Sequence, residues 1–187
     1  MFELFQAQGL MFTLLGIFII VIVDSTLFPV LPELFAVLVF TNDPSPELAV
    51  MMLAAICLGE LAGNTLLYSL VKWKRLPAIV EKAIRKWTDF LIFSDERIIL
   101  MNRFAPVVPY TGAFIATCKW NYRKAMLYLV TGCVIKYSAL FALVGLFNYQ
   151  FDPATAQMFS LIAVVTVICL SLAASVVYRK KHARAVE

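Results

Sequence analysis

The most informative segment of this chain runs Arg103-Phe-Ala-Pro-Val-Val-Pro-Tyr-Thr-Gly-Ala-Phe-Ile-Ala-Thr-Cys-Lys-Trp120. It is apolar enough to enter a membrane, but only about 15 residues separate its charged ends, whereas a spanning helix needs roughly 20. Pro106 and Pro109 would interrupt a helix here, because proline lacks an N–H and its ring collides with the preceding turn. Interrupted backbone at membrane depth is stable only where protein or a wet cavity satisfies its polar groups. The segment therefore predicts a re-entrant hairpin that lines a cavity.

The composition of the whole chain is that of a small membrane protein. Of its 187 residues, 62% are hydrophobic and 15% are charged, which is too apolar for a soluble domain. Apolar runs long enough to cross a bilayer occupy residues 4–23, 47–71, 126–147 and 156–178. The sequence therefore predicts an all-α integral membrane protein with four transmembrane helices.

Two further segments do not fit a simple spanning helix. Residues 25–40 are apolar but short, and Pro29 and Pro32 interrupt them, so we expect a second re-entrant hairpin. Residues 78–93 place apolar side chains at helical spacing on one face and charged side chains on the other. This pattern predicts an amphipathic helix that lies in the membrane interface.

The distribution of positive charge sets the predicted orientation. The basic tail, residues 179–187, is expected in the cytoplasm, and the loops at 41–47 and 148–155 contain no lysine or arginine. Residues 72–97 carry seven lysines and arginines. These basic residues lie on the cytoplasmic side of the membrane if residues 103–120 re-enter, and on the opposite side if residues 103–120 span it. The charge bias therefore favours re-entry, with both termini cytoplasmic and the two hairpins entering from opposite sides of the cytoplasmic membrane.

A weak internal repeat agrees with this topology. A shift of 77 residues lays Pro29-Val-Leu-Pro32 on Pro106-Val-Val-Pro109, and residues 47–71 on 124–148. We divide the single membrane domain into repeat one (1–73), repeat two (78–149), an extra helix (156–178) and the basic tail. Repeats of opposite orientation, with broken segments meeting near the midplane, are typical of secondary transporters.

Five ionisable residues lie in or beside the apolar segments, namely Asp24, Glu33, Glu60, Arg103 and Lys136. Such residues are costly in a membrane and usually face a cavity or a charged partner. We expect them to line a wet central path, in which cations attract an anionic head group and carboxylates carry a proton. The candidates for translocation are Arg103, Lys136, Glu60, Glu33 and Asn64, and the candidates for proton coupling are Glu60, Glu33 and Asp24.

Each of these side chains also has a structural interpretation. Glu60 and Lys136 could neutralise one another inside the bundle, and Arg103 could extend to the cytoplasmic interface. Asp24 is expected first to cap the turn at a helix end. Gly59 and Gly63 form a GxxxG pair, which lets another backbone approach closely. Such pairs occur within bundles and between subunits, so they leave formation of a homo-oligomer open.

The sequence offers little support for an enzyme or a metal protein. Its single histidine, His182, lies in the tail, and it has no GxSxG, P-loop or HExxH motif. The four cysteines lie in apolar segments without CxxC spacing, so we interpret them as small buried hydrophobic residues. We therefore predict no enzyme activity, no cofactor, no metal and no nucleic-acid partner.

Three segments of the chain, residues 59–68, 103–106 and 132–136, resemble motifs of the DedA family, membrane proteins that share a domain with the SNARE-associated (VTT) proteins. Gly59-Glu-Leu-Ala-Gly-Asn-Thr-Leu-Leu-Tyr68 resembles the glycine, acid and tyrosine pattern after that family's first hairpin. Arg103-Phe-Ala-Pro106 resembles its Phe-x-Arg-Phe-x-Pro signature, and residues 132–136 fit the Gly-Lys of some archaeal-type members. The resemblance covers roughly residues 10–150.

The resemblance implies two facing re-entrant segments and lipid transport that depends on the proton-motive force. Bacterial members are linked to undecaprenyl phosphate recycling, and eukaryotic relatives scramble phospholipids. By position, Arg103 matches the first arginine of the signature, Glu60 an acid of the first half, and Glu33 the Pro-x-Glu region. Many members have a second arginine six residues after the first, where this chain has Pro109.

From these observations we predict a transporter that flips or scrambles lipids or polyprenyl-phosphate carriers, with or without proton coupling. Its partners would be membrane lipids, with an anionic head group as the substrate. The same topology also fits an antiporter of small solutes or cations. A third reading is a membrane scaffold that transports nothing and docks partners through residues 78–93 and the basic tail.

Overall fold

The computed structural model describes residues 2–27, 30–74, 95–103 and 110–150, together with nine residues between 155 and 169. All regular structure in these ranges is helical. The helices are α1 (Phe2–Thr26), α2 (Pro32–Asn42), α3 (Pro46–Lys74), α4 (Ile98–Asn102), α5 (Thr111–Thr117) and α6 (Tyr122–Gln150). The predicted interfacial helix, the basic tail and most of the predicted fourth span lie outside the described residues, as do Pro29, Pro106 and Pro109.

Three of the helices are long and apolar enough to cross a membrane, namely α1 (over Gly9–Thr26), α3 and α6. At most a third of each spanning window is buried inside the protein. Their outward surfaces carry large apolar side chains, which is the surface expected of helices in contact with lipid. This bears out the prediction of an all-α protein of the membrane class. The outward apolar side chains include Met11, Phe12, Val50, Leu58, Leu127 and Leu146.

The two short helices α2 and α5 each follow an interruption of the backbone. Leu31 (φ 57°) precedes α2, and Tyr110 (φ 52°) precedes α5. Both residues adopt the left-handed backbone conformation although neither is glycine, and this conformation costs roughly 1–2 kcal/mol. Pro32 is the first residue of α2, where its missing N–H has no helical partner to lose. With 11 and 7 residues, both helices are too short to cross a hydrocarbon core of about 30 Å.

Each short helix packs against the long helix of the other half of the chain. Helix α2 contacts α6, whereas α5 contacts α3. Helix α1 lies along α3, and α4 lies along α6. Helices α3 and α6, which we call the two long helices, also contact each other. The packing partners of the two halves therefore correspond, element by element.

The two glycines of the GxxxG pair make the contact between α1 and α3. A methyl group on Gly59 would lie 2.9 Å from the Phe18 carbonyl oxygen, and one on Gly63 would lie 2.8 Å from the Ser25 Cβ. Neither distance is tolerable for a real side chain. The pair is therefore used inside this chain, to bring α1 close to α3.

Two apolar clusters stabilise the arrangement. One lies among α1, α2, α3 and α6, and the other lies among α4, α5 and α6. The first includes Val21, Val37, Met52, Ile56 and Phe141, and the second includes Ile98, Ile99, Phe114, Ile115 and Leu129.

Candidate functional site: two buried ion pairs

Glu60 lies at the centre of α3, with fourteen residues of the helix before it and fourteen after it. Its residue surface is only 2% exposed. A carboxylate at this depth in a spanning helix has no water to stabilise its charge, so it requires partners within the protein.

Arg103 is the main partner of Glu60. Its Nη1 donates to Glu60 Oε1 at 2.5 Å and its Nη2 donates to Oε2 at 3.0 Å, so the guanidinium and carboxylate meet as two parallel hydrogen bonds. This fork geometry is the strongest form of a side-chain ion pair. Arg103 does not extend to the interface as one reading of the sequence proposed, because its side chain is 13% exposed.

Gly132 on α6 makes room for the arginine. A methyl group there would lie 2.7 Å from Arg103 Cγ and 3.3 Å from Leu100 Cδ1. The side chain of Arg103 therefore passes directly over the surface of α6 on its way to α3. This role of Gly132 was not predicted, because a glycine in a helix sequence carries no sign of what it contacts.

Two further polar residues complete the surroundings of Glu60. Ser25 Oγ lies 3.2 Å from Glu60 Oε2 and 2.8 Å from the Val21 carbonyl oxygen. Asn64 Nδ2 donates to Glu60 Oε2 at 3.0 Å, and Asn64 Oδ1 accepts the N–H of Gly112 at 3.1 Å. The carboxylate is thus linked to α1, to α5 and to the segment after α4. Asn64 was a predicted site residue, whereas Ser25 and Gly112 were not.

Lys136 forms the second ion pair, with Glu33. Lys136 also lies at the centre of its helix, with fourteen residues of α6 on either side. Its Nζ donates to Glu33 Oε1 and lies 5.6 Å from the ring centre of Tyr137. Glu33 is in the first turn of α2, where the helix dipole favours a negative charge.

The two ion pairs differ in how fully their polar atoms are satisfied. Both oxygens of Glu60 accept hydrogen bonds. In contrast, Glu33 Oε2 is buried with no hydrogen-bond partner among the described residues, and so is Arg103 Nε. The side chain of Lys136 is 29% exposed, about twice the exposed fraction of Arg103. Each pair thus includes one such buried atom, but the pair of Glu33 and Lys136 is the more accessible of the two, and its carboxylate accepts fewer hydrogen bonds from the described residues.

Asp24 lies near the end of α1 and binds the backbone that follows. Its Oδ1 accepts the N–H of Val30 at 2.9 Å, across the break between α1 and α2. This is a contact that stabilises a turn. The break is also close to the start of α5, because the Tyr110 hydroxyl donates to the Leu27 carbonyl oxygen at 3.1 Å.

The pairing differs from the structural alternative considered from the sequence. The alternative pairs Glu60 with Lys136, whereas in the structure Glu60 pairs with Arg103 and Lys136 pairs with Glu33. The sequence identified all four charges. It could not assign the pairs, because the choice depends on which short segments pack on which long helices.

Comparison with protein-family models, with curated proteins and with solved structures gives no match. The resemblance to the DedA family therefore stays a prediction. Within the described part of the chain, no three histidine, cysteine or acidic side chains come together as metal ligands would. The charged side chains at the helix centres are thus the chemistry on which a functional proposal can be built.

Proposed function

We propose that this protein is a membrane transporter that moves lipids with anionic head groups across the bilayer. The observation that carries the proposal is the presence of two separate ion pairs at the centres of two spanning helices. Apolar side chains of similar volume would hold such a bundle together at least as well as buried ion pairs do. Charges kept at this depth are more simply explained by a polar path through the membrane.

The packing of the helices supports an inverted repeat with two re-entrant hairpins. In this proposal α2 and α5 are the second arms of the hairpins, and each packs on the long helix of the other half. Helices α3 and α6 have equal lengths, and their bounds are offset by 76 residues, one fewer than in the sequence alignment. The contact of Tyr110 with Leu27 brings the two backbone breaks together, as a path at the midplane requires.

The Glu60–Arg103 pair suggests how a proton could be coupled to lipid movement. Both terminal nitrogens of Arg103 are bonded to Glu60, so the arginine must release Glu60 before it can bind a phosphate in the same way. A proton on Glu60 would remove the negative charge and one strong acceptor. Arg103 would then be available to a phosphate, which it can bind through the same two parallel bonds.

Lys136 would be the second cation of the path. An ammonium group has three donors, and Glu33 Oε1 takes one of them. The remaining donors and the greater exposure of Lys136 suit it to receive a head group before or after Arg103 does. The acyl or prenyl chains would stay in the lipid, against the outward apolar faces of the helices.

A cation or small-solute antiporter is the second candidate, and it is favoured by Glu33 Oε2, which has no hydrogen-bond donor among the residues that the structure describes. A buried carboxylate oxygen without a donor is a natural ligand for a proton or a small cation. In that case Glu33 and Asp24, rather than the two cations, would bind what is transported.

Purified protein in liposomes with a fluorescent anionic lipid tests the proposal. Lipid in the inner leaflet is protected from a membrane-impermeant quencher until it moves outward, and the rate is measured with and without a pH gradient. We expect Arg103→Gln to reduce the rate to that of protein-free liposomes. The matched control is Arg97→Gln, because Arg97 is exposed and, among the described residues, its ion pair is with the partly exposed Asp95.

Folding must be separated from transport in this experiment. Each variant is therefore checked for monodispersity and thermal unfolding before reconstitution. Lipid movement by the wild-type protein that depends on the pH gradient, and that folded Arg103→Gln lacks, supports a proton-coupled lipid transporter. Folded wild-type protein that moves no anionic lipid, but dissipates a sodium or proton gradient, would favour the antiporter instead.

A further inference from the structure

Cys57 and Cys133 come into contact where the two long helices meet. Their sulfur atoms are 3.5 Å apart, and the structure records both residues as thiols. The two residues are 76 positions apart, which is also the offset between α3 and α6. They therefore occupy equivalent places on the two helices, and the contact joins the halves of the chain at corresponding points.

The thiol pair lies one helical turn from both ion pairs. Cys57 precedes Glu60 by three residues, and Cys133 precedes Lys136 by three residues. Residues at this spacing are neighbours on a helix surface. A bond between the two sulfur atoms would consequently restrain α3 and α6 beside the charges proposed to bind and release the substrate.

The surroundings of the thiols decide which oxidant could reach them. Both belong to the apolar cluster around Met52, Ile56 and Phe141, where a water-soluble oxidant would have to leave water. Cys133 is buried, but Cys57 is partly exposed, and it lies next to Leu58, which is 59% exposed on the outward face. Because Cys57 is the partly exposed member of the pair on an apolar helix, an oxidant dissolved in the bilayer would reach the pair through Cys57.

We infer that Cys57 and Cys133 are a modification site, where a quinone dissolved in the bilayer oxidises the two thiols to a disulfide that locks the long helices together. One S–S bond forms and two S–H bonds break. The two electrons and two protons pass to the quinone, which leaves as the hydroquinone. A disulfide bond is about 2.05 Å long, so the sulfur atoms must approach by about 1.5 Å, which small side-chain and helix movements can supply.

The spacing of the cysteines in the sequence gave no indication of this pair. We interpreted all four as small buried hydrophobic residues, and the buried Cys133 fits that interpretation. Cys118 is half-buried and Cys169 is exposed. The contact of Cys57 with Cys133 depends on the packing of α3 on α6, which a local motif does not report.

The experiment uses full-length protein in liposomes in which Cys118→Ser and Cys169→Ser leave only the proposed pair. The probe is tetramethyl-1,4-benzoquinone, whose substituted ring has no free position for a thiol to add to. After treatment and denaturation, remaining thiols are alkylated, and peptides are mapped without reductant. We expect a cross-linked peptide containing residues 57 and 133, two hydrogens lighter than the separate peptides, that a phosphine reductant cleaves.

Two matched variants distinguish this result from non-specific oxidation. Adding Cys57→Ser or Cys133→Ser to the same background should abolish the linked peptide and leave the remaining thiol open to alkylation. Copper–phenanthroline in air serves as a second oxidant that tests geometry alone. Full alkylation of both thiols after the quinone would overturn the inference, whether or not copper–phenanthroline forms the bond. A link between two copies of the chain would overturn it too.

The consequence for transport rests on the proposed function and is measured separately. Quinone treatment should stop lipid movement in the protein with the thiol pair, the reductant should restore it, and the Cys57→Ser protein should be unaffected. If the disulfide forms while transport continues at the same rate, the claim that it locks the long helices and stops transport is overturned. If neither protein moves lipid before treatment, the proposed function fails, but the disulfide is still decided by the peptide map.

Discussion

Glu60 and Lys136 occupy the same place on two different helices, each at the centre of 29 residues, yet each pairs with a residue from a different segment. Glu60 binds Arg103, which lies in the second half of the chain, and Lys136 binds Glu33, which lies in the first half. Each ion pair therefore joins the long helix of one half to the interrupted region of the other. Any movement of the halves against one another has to strain or exchange these pairs.

The first prediction concerns the contribution of the Glu60–Arg103 ion pair to the stability of the protein. Arg103→Gln leaves a buried carboxylate without its cation, and removing one partner of a buried pair costs roughly 3–5 kcal/mol. We expect a clearly lower unfolding temperature in detergent, whereas the exposed control Arg97→Gln should change it little. Glu60→Gln combined with Arg103→Gln should recover most of the lost stability, because no unpaired charge remains.

An exchange of the two charges separates stability from transport at this pair. Glu60→Arg together with Arg103→Glu keeps one positive and one negative charge but moves the cation to α3. We expect partial recovery of the unfolding temperature relative to Arg103→Gln, without recovery of lipid movement. Full recovery of both would mean that the location of the cation is irrelevant, and would contradict a head-group role for Arg103.

The second prediction concerns the Glu33–Lys136 pair, which is more exposed and whose carboxylate accepts fewer hydrogen bonds from the described residues. Lys136→Met should destabilise the protein less than Arg103→Gln does, because water reaches this pair more easily. Transport should nevertheless be lost, and Lys136→Arg should retain part of it. A double-mutant cycle with Glu33→Gln measures the coupling, for which contacting residues typically give about 0.5–3 kcal/mol.

An equal loss of stability in Lys136→Met and Arg103→Gln would contradict this difference between the pairs. Unchanged lipid movement in folded Lys136→Met would remove Lys136 from the path, and would leave Arg103 as the only cation proposed to bind a head group.

The positions of the long helices could be predicted from the sequence alone, but the contacts between the helices could not. Hydrophobic length placed the long helices to within a few residues: the run at 47–71 became α3, Pro46–Lys74. The shortness of the apolar segments and their prolines predicted interruptions, and Leu31 and Tyr110 are indeed left-handed. These are local properties, which depend on the residues of the segment itself and not on what packs against it.

What the sequence could not supply were the contacts between segments far apart in the chain. Glu60 and Arg103 are separated by 43 residues, and Lys136 and Glu33 by 103. The first pairing depends on α4 packing on α6, which itself contacts α3, and the second depends on α2 packing on α6. A list of charged residues does not contain that information. Ser25, Gly112 and Gly132 were missed for the same reason, because small residues reveal their role only through what lies against them.

The third prediction tests the space that Gly132 leaves for Arg103. Gly132→Ala places a methyl group 2.7 Å from Arg103 Cγ, so the arginine must shift. Gly145→Ala on the same helix is the matched control, since no atom of the described residues lies within 4 Å of its added methyl group. We expect Gly132→Ala to slow lipid movement and lower the unfolding temperature. Gly145→Ala should keep transport and raise stability slightly, because alanine favours a helix over glycine by up to about 1 kcal/mol.

Equal behaviour of the two alanine variants would contradict the passage of Arg103 over Gly132. If Gly132→Ala lowered stability but not transport, the position of Arg103 would matter for folding alone, and the head-group role would need another residue.

The fourth prediction uses Asn64 to report on the charge of Glu60. Asn64→Asp replaces the Nδ2 donor by an acceptor beside Glu60 Oε2, while the retained oxygen can still accept the N–H of Gly112. Two carboxylates in contact cannot both stay charged without mutual repulsion, and a proton on either one relieves it. The variant should therefore be destabilised in mildly alkaline buffer and regain stability in mildly acidic buffer.

Asn148→Asp is the control for this experiment. Asn148, like Asn64, donates to the carbonyl oxygen four residues earlier, but its hydrogen bond goes to Val144 and involves no carboxylate. Unfolding temperatures of both variants and of wild type are measured across the same buffers. A pH dependence confined to Asn64→Asp would show that the Glu60 carboxylate is charged and that its hydrogen-bond partners stabilise that charge. The same dependence in Asn148→Asp would mean that the loss of the amide donor, rather than the neighbouring charge, is responsible.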